Sequence, residues 1–224
     1  MTTSAAIVVW TLAFAASHMG LSSMRVRPRL VAAIGQLPYL GLYSLVSFAT
    51  FVPLVRAWLG GIHGGGQLWD LRGVPAVHIG ALLVSLLSFS MALAALVQPS
   101  PAAIGPRTTT RARGLTRITR HPLFMNVGIW ALAHVVLNGF VNDVLFFGGI
   151  FLVGLFGCMH QDSRKRILEK GTLDEFYAET SLLPFAAIVS GRGRLVVSEL
   201  PWVGIAVGGV ASMALYHFHT RMFL

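Results

Sequence analysis

Charge is scarce in this chain, and negative charge is scarcest. Eight acidic residues face seventeen basic ones in 224 positions, and charged residues make up only 11% of the whole. An ordinary soluble domain carries roughly 25%. With 55% of residues hydrophobic, a soluble fold of this length could not hide its apolar surface, whereas a bilayer removes the need to hide it. Cysteine is reduced to Cys158 alone. That excludes an intrachain disulfide, a CxxC metal site and a cysteine-ligated iron–sulfur cluster within one chain. The alternating pattern of a β-barrel is missing, which leaves helices as the spanning structure. Internal repeats are also missing, and the length suits a single domain over residues 1–224.

What is present is a series of apolar runs near the length a helix needs to cross a bilayer. They cover residues 5–23, 37–59, 75–97, 123–139, 144–160 and 201–219. The expectation is an all-α polytopic membrane bundle of about six transmembrane helices. Fourteen of the seventeen basic residues fall in alternate connections. Arg25, Arg27 and Arg29 follow the first run. Arg107, Arg111, Arg113, Arg117 and Arg120 lie between the third and fourth. Arg164, Lys165, Arg166, Lys170, Arg192 and Arg194 lie between the fifth and sixth. The positive-inside rule puts those connections in the cytoplasm and both termini outside, as expected for a bacterial inner (plasma) membrane. The first run has its arginines after it rather than before it, which reads as a span and not as a secretory signal. The formal charge of +9 is then accounted for by topology and anionic membrane lipid, with no nucleic-acid partner. The mixed charge of 162–179 suggests a cytoplasmic amphipathic surface helix. The apolar stretch 180–188 is too short to span, and suits an interfacial dip or a cap on the bundle. The glycine-rich stretch 60–66 reads as a flexible outer loop.

Ionisable groups inside spans mark function by default. Carboxylates are nearly missing there, with Asp143 at a border, and histidines stand out instead. His63, His78, His217 and His219 fall at outer edges or in a loop and suit an interface. His18 and His134 lie within their runs. A neutral imidazole in hydrocarbon needs partners for both nitrogens. Hydrogen-bonded packing supplies them, and so does a metal or haem iron on one nitrogen with an acceptor on the other. No CxxCH occurs, so any haem is held non-covalently. At the start of the fourth run, Arg117, Arg120 and His121 precede Pro122, a residue suited to a first helical turn. They form either a basic anion site or simply topology-setting charge at a helix start.

Three blocks carry a family resemblance. The first is Gly114-Leu-Thr-Arg-Ile-Thr-Arg-His-Pro122, followed by Ile129-Trp-Ala-Leu-Ala-His134 and Gly139. The second is Ser17-His-Met-Gly-Leu-Ser-Ser-Met-Arg25, and the third is Thr180-Ser-Leu-Leu-Pro-Phe-Ala-Ala-Ile-Val-Ser-Gly-Arg192. Together they resemble the NnrU family, which includes bacterial proteins linked to denitrification and the 15-cis-zeta-carotene isomerases of plants and cyanobacteria. The resemblance implies a haem b integral membrane protein acting on a carotenoid or another lipophilic polyene by cis–trans isomerisation, without net redox change. It places the haem iron, and with it the catalytic role, on His18 and His134. Arg117, Arg120 and His121 would be further cofactor-binding residues. Isomerases of the family tend to carry Cys where this chain has Ala131 and Gln near Val127, so no thiolate ligates from that position. By helical rise, His18 lies about 10 Å from Arg25 and His134 about 21 Å from Arg120. Two axial ligands at such different depths require a displaced or tilted helix; otherwise His121 or His160 takes the place of one.

Two other readings compete. The Arg-His-Pro start, with Asp162, Phe176-Tyr177 and Pro184 after the next run, also resembles isoprenylcysteine methyltransferases of membranes, which use S-adenosylmethionine. A family member could alternatively be a non-enzymatic haem, electron-transfer or sensory protein of nitrogen-oxide metabolism. The sequence leaves the oligomeric state open.

Overall fold

The computed structural model describes residues 1–103 and 109–223, and side chains in the last helix through His219. Arg107 lies outside the described residues. Ten α-helices carry the described chain: α1 (Thr3–Leu21), α2 (Arg27–Ile34), α3 (Gln36–Leu59), α4 (Pro75–Val97), α5 (Leu115–Ile118), α6 (Pro122–Leu137), α7 (Val141–Leu168), α8 (Asp174–Glu179), α9 (Ala186–Val189) and α10 (Trp202–Phe223). The extended pairing among the described residues is one isolated bridge, Gln67 to Phe140. Helices α1, α3, α4 and α7 are long and apolar enough to cross a membrane, and α6 is a shorter apolar helix. Every apolar run therefore became a helix, α10 included, and the all-helical membrane character holds.

The chain forms two compact units: residues 1–78 with 134–153, and residues 79–133 with 154–224. In the first unit α1 lies along α3. Phe14 packs on Phe51 with ring centroids 5.3 Å apart, and the Tyr39 hydroxyl donates to the Leu21 carbonyl at 3.2 Å. The stretch 60–66 is less free than its glycines suggest, because it wraps Asn142. The Asn142 amide donates to the Gly61 carbonyl at 2.8 Å, and its oxygen accepts from Ser4 at 2.6 Å. The backbone N–H of Leu68 donates to Gly139 at 2.6 Å, and that of Val141 to Gly66 at 3.0 Å. The beginning of α1, the 60–68 loop and the α6–α7 link thus meet at one end of this unit.

In the second unit α10 packs on α4 through small residues. A Cβ on Gly208 would come within 2.5 Å of the Ser90 carbonyl oxygen, and one on Gly204 within 2.8 Å of Val97. Ser90 seals the contact by donating to the Ile205 carbonyl at 2.7 Å. Small residues four apart let helix backbones approach closely in this way within membranes.

In the second unit the described parts of two arginine-rich connections pack together, with Ala102 and Ala112 of one against Leu173, Phe176 and Tyr177 of the other. The expected amphipathic helix over 162–179 is replaced by two pieces. Helix α7 continues unbroken to Leu168 and α8 follows at Asp174–Glu179. Residues 160–168 contain no Gly or Pro to stop α7, and the break comes around Gly171. The 180–188 stretch folds onto the residues before α6. Arg120 N–H donates to the Ser181 carbonyl at 2.7 Å, and Phe185 N–H to the Ile118 carbonyl at 2.8 Å.

Candidate functional site

His18 sits on the last turn of α1, half-buried between Phe14 and Tyr43, whose ring centroids lie 5.1 and 4.7 Å away. Its Nδ1 is 3.1 Å from Ser47 Oγ. Ser47 has one hydroxyl proton, and that proton goes to the Tyr43 carbonyl at 2.8 Å. The oxygen is therefore an acceptor for His18, so Nδ1 carries the hydrogen and Nε2 the lone pair. Among the described residues Nε2 has no hydrogen-bond partner. An imidazole fixed at one nitrogen and open at the other is the arrangement that iron ligation requires. The sequence reading missed Ser47. Its signal was a hydroxyl inside an apolar run.

His134 lies near the end of α6 and is also half-buried. Its ring stacks on Phe147 at 4.6 Å. Phe147 meets Phe146 edge to face, and Phe146 stacks flat on Trp58 at 4.5 Å. Trp58 donates from Nε1 to Asp143 Oδ1 at 2.8 Å. The other carboxylate oxygen of Asp143 lies 2.7 Å from His63 Nδ1. Asp143 is fully buried, so these donors are what keep a carboxylate tolerable there. His63 is thus a partner of a buried acid rather than a merely interfacial group. The backbone beside His134 is tied as well, because Asn138 N–H donates to the His134 carbonyl at 2.8 Å. The Asn138 side chain accepts from Arg72 at 3.0 Å.

The second unit contains a closed polar cluster. Arg120 pairs with Asp162 Oδ2 and donates to the Thr180 hydroxyl at 3.0 Å and the Thr180 carbonyl at 2.9 Å. His121 Nε2 lies 2.7 Å from Asp162 Oδ1, and the Tyr177 hydroxyl donates to the same oxygen at 3.2 Å. Burial, followed by the charge of Asp162, pushes the Tyr177 hydroxyl well above its ordinary pKa and keeps it a donor. The guanidinium of Arg166 lies over the Tyr177 ring at 4.0 Å. Arg120, His121, Asp162 and Tyr177 are all buried.

Arg117 makes a separate two-pronged pair with Glu199, at 2.7 and 3.1 Å. The Arg117 hydrogen bond holds the Glu199 carboxyl below its ordinary range, against the smaller opposing effect of burial. The same bond raises Arg117. Gly114 makes this geometry accessible. Its φ of +52° suits glycine, its N–H donates to Glu199 at 3.1 Å, and a Cβ there would lie 2.6 Å from the Glu199 carbonyl oxygen.

The structure thus places His18 and His134 in the first unit, and Arg117, Arg120 and His121 in the second. Of the two substitute ligands, His121 has Nε2 engaged by Asp162, whereas His160 Nε2 is buried without a hydrogen-bond partner. Among the described residues no cluster of three or more His, Cys, Asp or Glu side chains is arranged for a bare metal ion.

Comparison with known proteins gives this arrangement a context. The chain is 28% identical over 231 residues to the chloroplastic 15-cis-zeta-carotene isomerase of Zea mays, covering 96% of this chain and 60% of that one. It is 30% identical over 197 residues to the enzyme of the same name from Arabidopsis thaliana, covering 84% of this chain and 51% of the other. It therefore spans between half and three-fifths of the length of these relatives. No solved structure matches it. The model of the NnrU protein family matches residues 6–224, so the chain belongs to the NnrU family.

Proposed function

We propose that this protein binds haem b through His18 and His134 and isomerises a cis double bond in a carotenoid-like polyene within the membrane. The observation that carries the cofactor half is the Ser47–His18 pair, which fixes the imidazole by Nδ1 and leaves Nε2 with a free lone pair. The likeness to 15-cis-zeta-carotene isomerases supports the reaction class. When bound, ferrous haem would supply electron density that lowers the bond order of the polyene and eases rotation. The chain's own part is to hold and shield. Ser47 sets the tautomer and direction of His18. Phe147 braces the His134 ring. Phe14, Phe51 and Tyr43 offer an apolar, aromatic surface suited to a conjugated chain and unfavourable to water. Arg120 and His121 are committed to Asp162, and Arg117 to Glu199. In this reading they close the arginine-rich end rather than meet the cofactor.

Six crossings with both termini on the arginine-poor side fit the same picture. The beginning of α1 shares its end of the first unit with the 60–68 loop and the α6–α7 link. The described parts of two arginine-rich connections pack together in the second.

The methyltransferase reading gains the convergence of Arg120, His121, Asp162 and Tyr177, but it needs them to face a cofactor, and they are buried against one another. The test is to purify the protein from haem-replete cells, reduce it with dithionite and supply 9,15,9′-tri-cis-zeta-carotene. Loss of the central cis bond on chromatographic analysis supports the proposal. A reducible haem spectrum without conversion would favour the electron-transfer or sensory reading. S-adenosylmethionine binding with no haem would favour the methyltransferase.

A further inference from the structure

Beside the Arg117–Glu199 pair lie two hollows of opposite character. One is a polar basin of about 410 Å³, bounded by Arg111, Arg117, Arg192 and Arg194, with Glu175 and Glu179 in its walls. The other is an apolar groove of about 580 Å³ between α4 and the start of α10, lined by Leu93, Val97, Leu200, Trp202, Val203 and Val207 among others. The Arg117–Glu199 pair links their linings, because Arg117 lines the basin and Leu200, the residue after Glu199, lines the groove. Arg117 is paired with Glu199 and Arg111 with Glu175 at 3.4 Å, so Arg192 and Arg194 against Glu179 leave the basin net positive.

Two arginines retain donors. Arg192 spends Nη1 on the Ala178 carbonyl and Nε on the Ser190 hydroxyl, both at 3.1 Å, and its Nη2 makes no hydrogen bond among the described residues. Arg194 is exposed and has no polar partner among the described residues. Guanidinium groups favour phosphate because their donors match its oxygens in pairs. The groove is floored by Gly204 and Gly208, and its wall residues Val203 and Val207 are exposed. Trp202, also exposed, donates to the Val197 carbonyl at 3.1 Å, with the half-apolar, half-polar surroundings that tryptophan finds at a membrane interface.

The geometry points to a single site for an anionic phospholipid. Its phosphate sits between Arg192 and Arg194, and one acyl chain lies along Val203 and Val207. No haem or polyene is needed for this site, and none of its residues belongs to the His18 or His134 surroundings.

The test uses the full-length protein in a neutral detergent, with native mass spectrometry following stepwise addition of phosphatidylglycerol, phosphatidylcholine or soluble glycerol phosphate. Phosphatidylglycerol should bind more tightly than phosphatidylcholine by about ten- to thirtyfold, the effect of two arginines near an anionic headgroup. Arg194→Gln, at an exposed and unpartnered position, should reduce that preference. Arg192→Ala combined with Arg194→Gln should abolish it. Val207→Trp should weaken both lipids alike by filling the groove, and glycerol phosphate should bind far more weakly than either lipid. Equal affinity for the two lipids, or a preference that survives the double substitution, would overturn the assignment. So would glycerol phosphate binding as tightly as phosphatidylglycerol, which would show a free-anion site instead.

Discussion

The surroundings of His18 and of His121 present the same imidazole in opposite chemical situations. At His121 the ring meets Asp162, Asp162 also meets Arg120 and Tyr177, and Arg120 reaches Thr180. That cluster is closed on itself and buried. At His18 one nitrogen is anchored by a serine whose only proton is already spent, and the other nitrogen is open. A satisfied polar cluster inside apolar surroundings fixes a fold, because breaking it strands a charge. A half-satisfied ring held in place is suited to a ligand. On the proposed function, the arginine-rich cluster holds the fold and His18 does the chemistry.

Substitution of Asp162 tests the closed side hardest. Asp162→Ala leaves Arg120 buried without its counter-ion and His121 Nε2 without its partner, and should cost about 3–5 kcal/mol, read as loss of folded protein in thermal unfolding in detergent. A fully folded Asp162→Ala protein of unchanged stability would contradict a structural role for this cluster. Gly208→Leu comes next. It forces side-chain atoms against the Ser90 backbone and should cost about 1–3 kcal/mol, with α10 loosened from α4 and accessible to protease.

Ser47→Ala sharpens the open side. The lost hydrogen bond is worth only about 1 kcal/mol to the fold, while the loosened imidazole should lower haem affinity by roughly 10–100-fold. Titrating haem into apoprotein, alongside a melting curve, separates the two effects. Equal retention of haem would remove the tautomer argument.

The smallest effect belongs to Arg117 and Glu199, a partly exposed pair worth about 1 kcal/mol or less. Glu199 has a lowered folded-state pKa. Its contribution is therefore complete above the ordinary glutamate range and disappears as pH falls through the lowered value. Unfolding of wild type and Glu199→Gln should differ at neutral pH and converge in acid, and curves that stay parallel would contradict this.

Much of this was legible in the residues, for physical reasons. Apolar runs of spanning length had one structure open to them. The arginines alternated with apolar runs, and Arg111 and Arg117 of one connection line the same hollow of the second unit as Arg192 and Arg194 of another. His18 and His134 were conspicuous because polar rings rarely occur in such runs. What was not legible were the partners. Ser47 is 29 positions from His18, Asp162 is 42 from Arg120, and His63 is 80 from Asp143. Periodicity along one helix carries no information about which distant residue faces it. The surface helix expected over 162–179 differed because charge marked a change of environment, from lipid to water, without marking a helix end.

Haem ligation by His18 and His134, as proposed, is decided by absorption spectra of the oxidised and dithionite-reduced protein. Wild type, His18→Ala, His134→Ala and His160→Ala should be produced side by side in haem-replete cells, with His160 included because its Nε2 is buried and unpartnered. Wild type and His160→Ala should show the same Soret and α-bands. His18→Ala and His134→Ala should each show a displaced or missing band. A wild-type protein without a Soret band, or a spectrum altered by His160→Ala and untouched by His18→Ala, would contradict the account.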